Sequence, residues 1–366
     1  VLVTLLFVDN ARQKIEFGAT HTSNDGTGYA YDFIIAGIVC AAIAGLALWR
    51  LQRVLLELRH ERTKPLHRQP TGLATVAGVD DVEEGTIERP DGRQVGYADF
   101  GPASGTPVLW CHGGPGCRLD PAYLADEAAS GGLRLIGIDR PGYGWSDPDP
   151  GRTIAGWVAD ALAVADHLGI DRFATVGLST GGAYALALAA LAPDRVIAAV
   201  PCGAMTDMRH EDARATMSRP HALAVWEAPD RDAAIAASVA SHGIDGSKIV
   251  ESAEGPPLPS SDQAMLPSRW GQLWMQATPT MFAHGLEGYA DDRIADGGGW
   301  VTFDVTAIRC PVIVLHGGAD VIADPIHACG TADLVPGAEL RIVDGLGHFS
   351  IEDELVAAVV DAVSAT

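Results

Sequence analysis

The sequence predicts an α/β fold: a mostly parallel sheet with helices on both faces and one long, mainly helical insertion. Three observations predict it. Short apolar runs recur without in/out alternation, helix-length stretches separate most of them, and the regularity breaks once, over roughly one hundred residues. Strands that read as continuous apolar runs are buried on both faces, as they are when helices cover a parallel sheet from either side.

The elements follow in order. "GTIERPDGRQVGYADFG" reads as a hairpin turning at Pro90 to Gly92, where proline presets one backbone angle and glycine accepts the left-handed one. The strand-length runs "PVLWCHG" and "LRLIGIDR" come next, then the helical stretch "TIAGWVADALAVADHLG". "FATVGLS" leads into the alanine-rich helix "GAYALALAALA", and "VIAAVPCGA" is the next strand. Residues 205–306 form the insertion, with Trp226, Trp270, Trp274 and Trp300 and a loop "EGPPLPSS". An insertion at one place in such a sheet is expected to form a cap or lid. "PVIVLHGG", "LRIVDG" and the helix "IEDELVAAVVDAV" complete the core, which spans 82–204 and 307–366.

Ahead of the core, residues 1–68 read as an N-terminal extension and 69–81, with one proline, two glycines and no periodicity, as a linker. Asp32 and Arg50 bracket seventeen uncharged residues, 33–49, "FIIAGIVCAAIAGLALW". A helix of that length spans about 26 Å, the short end of what a bilayer requires. Arg50, Arg53, Arg59, Arg62 and Lys64 follow it, so the positive-inside rule predicts a membrane anchor with a cytoplasmic body. A buried or partner-packing helix, or an extension outside the working protein, is the alternative. Without the anchor the chain is expected to be cytoplasmic.

Net charge is −22, and the first 68 residues contribute +2 of it, leaving −24 on the rest. Such a body repels phosphate backbones, which argues against nucleic-acid partners. No nucleotide-cradling glycine loop and no H-E-x-x-H appears, so neither a metal nor an organic cofactor is implied. Six scattered cysteines without paired spacing fit reduced thiols, and Cys117, beside "HGGPG", reads as a small buried side chain.

Ligands of open parallel sheets bind beyond the carboxyl ends of the strands. Those ends carry "HGGPG" (His112 to Gly116), "DRPGYGWSD" (Asp139 to Asp147), "GLSTGG" around Ser179, Asp320 after "VLHGGA", and His348 in "GLGHFS". "GLSTGG" alone admits an ordinary loop serine. A nucleophilic serine needs an imidazole base, and the imidazole needs an acid to fix its tautomer. Serine, aspartate and histidine, in that order, each end a different strand here.

From about residue 82 onward, these five motifs together resemble an α/β-hydrolase. The resemblance implies Ser179 as nucleophile, Asp320 as acid and His348 as base. It also implies an oxyanion hole from the backbone N–H groups of Gly114 and Thr180. One departure stands out: "DVIADP" puts Asp324 where the family usually has proline. Asp324, and Asp207 past the preceding core strand, therefore remain alternatives to Asp320. His112, His316 and His327 read as structural, as do Tyr143 and Trp145.

A serine at the elbow argues against epoxide or haloalkane hydrolysis, which uses an aspartate there. The implied activity is ester hydrolysis on a small or medium apolar acyl substrate, through an acyl-enzyme that water resolves. The "HGGPG" start is shared with proline iminopeptidases, and Glu251 and Glu254 in the insertion could hold a free amino group, so an amide substrate is the alternative. A non-catalytic binding protein on the same scaffold is a third reading.

Overall fold

The computed structural model describes residues 82–217, 220–248 and 256–366, all within a compact unit running from Leu73 to Thr366. The extension 1–68, its candidate span 33–49, the linker 69–81 and the pair Glu251 and Glu254 lie outside the described residues. Among the described residues no helix is long and apolar enough to cross a membrane.

The chain opens with the hairpin β1 (Val82–Glu88) and β2 (Gln94–Phe100). Gly92 sits in its turn at φ +88°, and its N–H donates to the Arg89 carbonyl at 2.9 Å. Then follow β3 (Thr106–Cys111), α1 (Ala125–Ser130), β4 (Leu133–Ile138), α2 (Ile154–His167), β5 (Phe173–Leu178), α3 (Gly181–Leu191) and β6 (Val196–Cys202). The helices α4 (Glu211–Ala215), α5 (Pro220–Trp226), α6 (Arg231–His242), α7 (Ser260–Met265), α8 (Arg269–Met281) and α9 (Glu287–Gly297) occupy the insertion. The core resumes with β7 (Ile313–Gly317), α10 (Ile326–Leu334), β8 (Glu339–Val343) and α11 (Leu355–Ser364).

The eight strands form one sheet in the order β1-β2-β4-β3-β5-β6-β7-β8. Only β2 runs against its neighbours; every pairing from β4 to β8 is parallel. The order is doubly wound: after the edge hairpin the parallel part starts mid-sheet at β3, steps outward to β4, then crosses back to β5 and beyond. Side chains of α2 and α3 pack on one face, those of α1 and α11 on the other. Central strand β5 is buried at all six positions, which explains its uninterrupted apolar sequence. α3 is buried at ten of its eleven positions, all but the terminal Leu191, so it needs no polar face.

Register brings the functional ends together. Cys111 pairs with Gly177, Leu178 with Cys202, and Cys202 with Leu315, so the carboxyl ends of β3, β5, β6 and β7 lie along one edge.

Candidate active site

Ser179 is the one non-glycine residue with positive φ among those described, at +50°. It stands between β5 and α3, on a turn so tight that its flanking glycines have no room for a side chain. A Cβ on Gly177 would come within 2.2 Å of the Gly181 carbonyl oxygen, and one on Gly181 within 2.0 Å of that of Cys111. Strain of this kind persists only where the surroundings enforce it, and it lifts the serine side chain clear of the sheet.

His348 Nδ1 lies 2.7 Å from Asp320 Oδ2. An ionised carboxylate can only accept, so Nδ1 carries the proton and Nε2 is left as the basic nitrogen. Asp320 Oδ1 accepts the N–H groups of Ile322 and Ala323 at 2.8 and 2.9 Å, which locks the carboxylate in place. Burial alone would raise the Asp320 pKa, but the neighbouring imidazoles of His348 and His316 bring it well below the usual carboxylate range. Burial would lower that of His348, and the Asp320 charge outweighs it, leaving the imidazole pKa raised.

Of the other candidates, His316 adjoins this pair, with Nε2 3.3 Å from Asp320 Oδ2, and the rest are engaged elsewhere. Asp207 is tied up with Arg209 at 2.5 Å, and Asp324 accepts the Ile326 N–H at 2.9 Å at the start of α10. His112 Nε2 accepts the Arg140 N–H at 3.1 Å, His316 Nε2 is 2.9 Å from the Ala323 carbonyl, and His327 Nδ1 accepts the Thr206 N–H at 3.2 Å. Cys117 is fully buried in the core. Tyr143 donates to Asp292 at 2.8 Å, and Trp145 stacks under the Arg118 guanidinium at 3.7 Å.

Ser179, His348 and Gly114 line a single cavity of about 240 Å³, whose far wall comes from the insertion. Of the four tryptophans of the insertion, Trp270 and Trp274 face it and Trp226 and Trp300 do not. Trp226 lies beside Arg293 instead, with the guanidinium carbon 5.3 Å from the ring centroid, and Trp300 packs on Phe303.

Several polar residues at the site carry no sequence motif. Glu352, one turn beyond His348, and Asp120 and Tyr123, after the "HGGPG" loop, line the cavity. Burial pushes the Glu352 carboxyl up to about 8 and that of Asp120 up to about 7. The Tyr123 hydroxyl donates to Glu352. Arg293, from α9, also lines the cavity and donates to the Thr180 hydroxyl. Asp262, from α7, is fully buried and accepts the N–H groups of His348, Phe349 and Ser350. An aspartate or arginine inside a helix looks like solvated surface until the partner it reaches is known.

Chemically, the arrangement offers a hydroxyl on a strained turn, an oriented imidazole and a partly apolar chamber. A family model described as the alpha/beta hydrolase fold matches residues 106–355. The chain is 29% identical over 270 residues to a non-heme chloroperoxidase of Streptomyces lividans, covering 72% of this chain and 92% of that one. It is 24% identical over 300 residues to the proline iminopeptidase of Neisseria gonorrhoeae, covering 74% and 92%. Among solved structures, the enol-lactonase from Burkholderia xenovorans LB400 superposes with a TM-score of 0.57 at 20% identity, over 75% of this chain and 98% of the other.

Proposed function

The chain belongs to the α/β-hydrolase family and is a hydrolase, and from that premise we propose that it is a serine esterase working through Ser179, His348 and Asp320. The observation that carries this reading is the 2.7 Å pair of Asp320 and His348 opening onto the same cavity as the strained Ser179. In this mechanism His348 Nε2 removes the Ser179 proton as the oxygen attacks the ester carbonyl. The imidazolium formed is stabilised by Asp320 and returns the proton to the leaving alcohol. The N–H groups of Gly114 and Thr180 receive the developing oxyanion. Water, activated by the same imidazole, then releases the acid.

Trp270, Leu273 and Trp274 line the chamber and favour a small or medium apolar acyl group. A second reading, an aminopeptidase acting on a free amino terminus, draws on the Glu352 and Asp120 carboxyls in the same cavity and on the iminopeptidase likeness. A fluorophosphonate probe together with p-nitrophenyl esters and amino-acid p-nitroanilides separates the cases. Labelling of Ser179 with ester turnover supports the esterase, faster anilide turnover supports the peptidase, and no labelling of folded protein points to a binding module.

For residues 33–49 the reading remains a membrane anchor, resting on the uncharged run and the basic residues after it. Recovery of the full chain in a high-salt wash would remove it.

A further inference from the structure

Asp292 and Arg293 stand side by side on α9; Arg293 reaches Thr180 directly, and Asp292 reaches the Gly113–Gly114 loop through Arg140. Asp292 is fully buried. It accepts Arg140 Nη2 at 2.7 Å, Arg152 Nη2 at 2.6 Å, and the hydroxyls of Tyr143 and Tyr184 at 2.8 and 3.0 Å. Thus oriented, the Arg140 guanidinium donates to the His112 carbonyl and, through Nη2 at 2.8 Å, to the Gly113 carbonyl. The Gly113 carbonyl and the Gly114 N–H belong to one planar peptide unit, so pinning the oxygen fixes the direction of the N–H.

Arg293 serves the other loop. It is 3% exposed, and its Nη2 donates to the Thr180 hydroxyl. A Cβ on Gly114 would lie 2.8 Å from Thr180 Oγ1 and 2.9 Å from Arg293 Nη2, so the three groups meet at one point. The same Nη2 is 2.8 Å from Asp296 Oδ2 but off the hydrogen-bond direction, so that carboxylate balances the charge without competing for the donor's aim.

We propose that Asp292 and Arg293 are positioning residues that hold the two halves of the oxyanion hole, so that the insertion tunes transition-state stabilisation as well as walling the cavity. The proposal rests on the serine-hydrolase reading above. Arg293 acts through Thr180, and Asp292 acts through Arg140 on the Gly113–Gly114 peptide. A misplacement of about 1 Å at such donors can cost about 10²-fold in rate.

The test uses the full chain and four variants: Thr180→Val, the doubly neutral Arg293→Met/Asp296→Asn, their combination, and Asp292→Asn. Arg293→Lys is added as the conservative rescue. On p-nitrophenyl butyrate, Thr180→Val and Arg293→Met/Asp296→Asn should each lose about 10- to 100-fold in kcat with KM little changed, and the combination should lose no more than the worse of them. Arg293→Lys should recover part of the loss. A rise in KM at constant kcat would make Arg293 a substrate contact and overturn the proposal. So would additive losses, or an Arg293 effect without a Thr180 effect. Hydrogen exchange gives a readout that needs no substrate: residues 179–182 should exchange faster in Arg293→Met/Asp296→Asn, and residues 112–116 in Asp292→Asn. Unchanged exchange in either pair overturns the proposal even if no ester is turned over. Wild-type protein inactive on every ester, or Ser179→Ala as active as wild type, would instead sink the esterase reading and leave the exchange result standing.

Discussion

The backbone N–H of His348 donates to the carboxylate of Asp262 at 2.8 Å, although 86 residues separate them. The same carboxylate accepts the N–H groups of Phe349 and Ser350 and the Ser350 hydroxyl. A residue of the insertion therefore holds the loop that carries the proposed base. Asp262→Ala leaves those buried donors without an acceptor and should cost about 2–4 kcal/mol of stability. Esterase activity should fall with it as the imidazole loses its fixed position. Urea denaturation alongside kcat checks this; a variant with wild-type stability and activity would show that the loop holds itself.

Ser179→Ala should fold normally, since a small side chain at φ +50° adds no new contact. It should lose ester turnover by about 10³-fold or more and lose fluorophosphonate labelling entirely. Retention of a tenth of wild-type turnover would remove Ser179 from the mechanism.

Asp320→Asn should lose about 10³- to 10⁴-fold in kcat, because an amide no longer holds the imidazole in the productive tautomer. Asp207 is salt-bridged to an arginine that is 60% exposed, and Asp324 opens α10, so Asp207→Asn and Asp324→Asn should keep most of the activity. A dead Asp207→Asn variant would move the acid to the end of β6.

The raised pKa of His348 sets the sign of the pH–rate profile. The base must be neutral to work, so kcat/KM should fall as pH drops through that pKa, with the acidic limb above the ordinary histidine value of about 6.5. In Asp320→Asn the residual activity should show the limb moved toward lower pH, because the largest opposition to burial is then gone and only the charges of Asp262 and Glu352 still raise the imidazole pKa. A limb that stays put would mean that another group governs it.

Glu352 gives the opposite lever, on stability. Its carboxyl is raised from 4.5 to about 8, so the folded protein keeps a proton that the unfolded chain has released across that window. The unfolded state binds fewer protons there, and stability must fall as pH climbs from about 4.5 to about 8. Glu352→Gln removes this slope. Its Tm should exceed that of the wild type by several degrees at pH 8 and by much less at pH 5. Equal pH dependence of the two proteins would show that Glu352 titrates normally.

Much of the fold was legible because local patterning states it directly. "FATVGL" and "VIAAVPC", short apolar runs separated by a helix-length stretch, read as buried strands of a parallel sheet, and Gly177 and Gly181 mark a turn with no room for a side chain. The strand-end motifs pointed to Ser179, Asp320 and His348 because strand ends of a parallel sheet face the same side, and that follows from chain direction alone.

What the tertiary structure decided was pairing. The strand-end motif favours Asp320 but leaves Asp207 and Asp324 open, and the fold brings Asp320 to within 2.7 Å of His348 while it gives the others to Arg209 and to the start of α10. Trp226 and Trp270 look alike in the insertion, yet one lies beside a guanidinium and the other faces the cavity. Asp262, Asp292 and Arg293 showed no signal at all, since an isolated charge on a helix reads as solvated. Their partners lie 86, 152 and 113 residues away, and a hydrogen bond depends on distance and direction in space, which residue type and spacing do not encode over such separations.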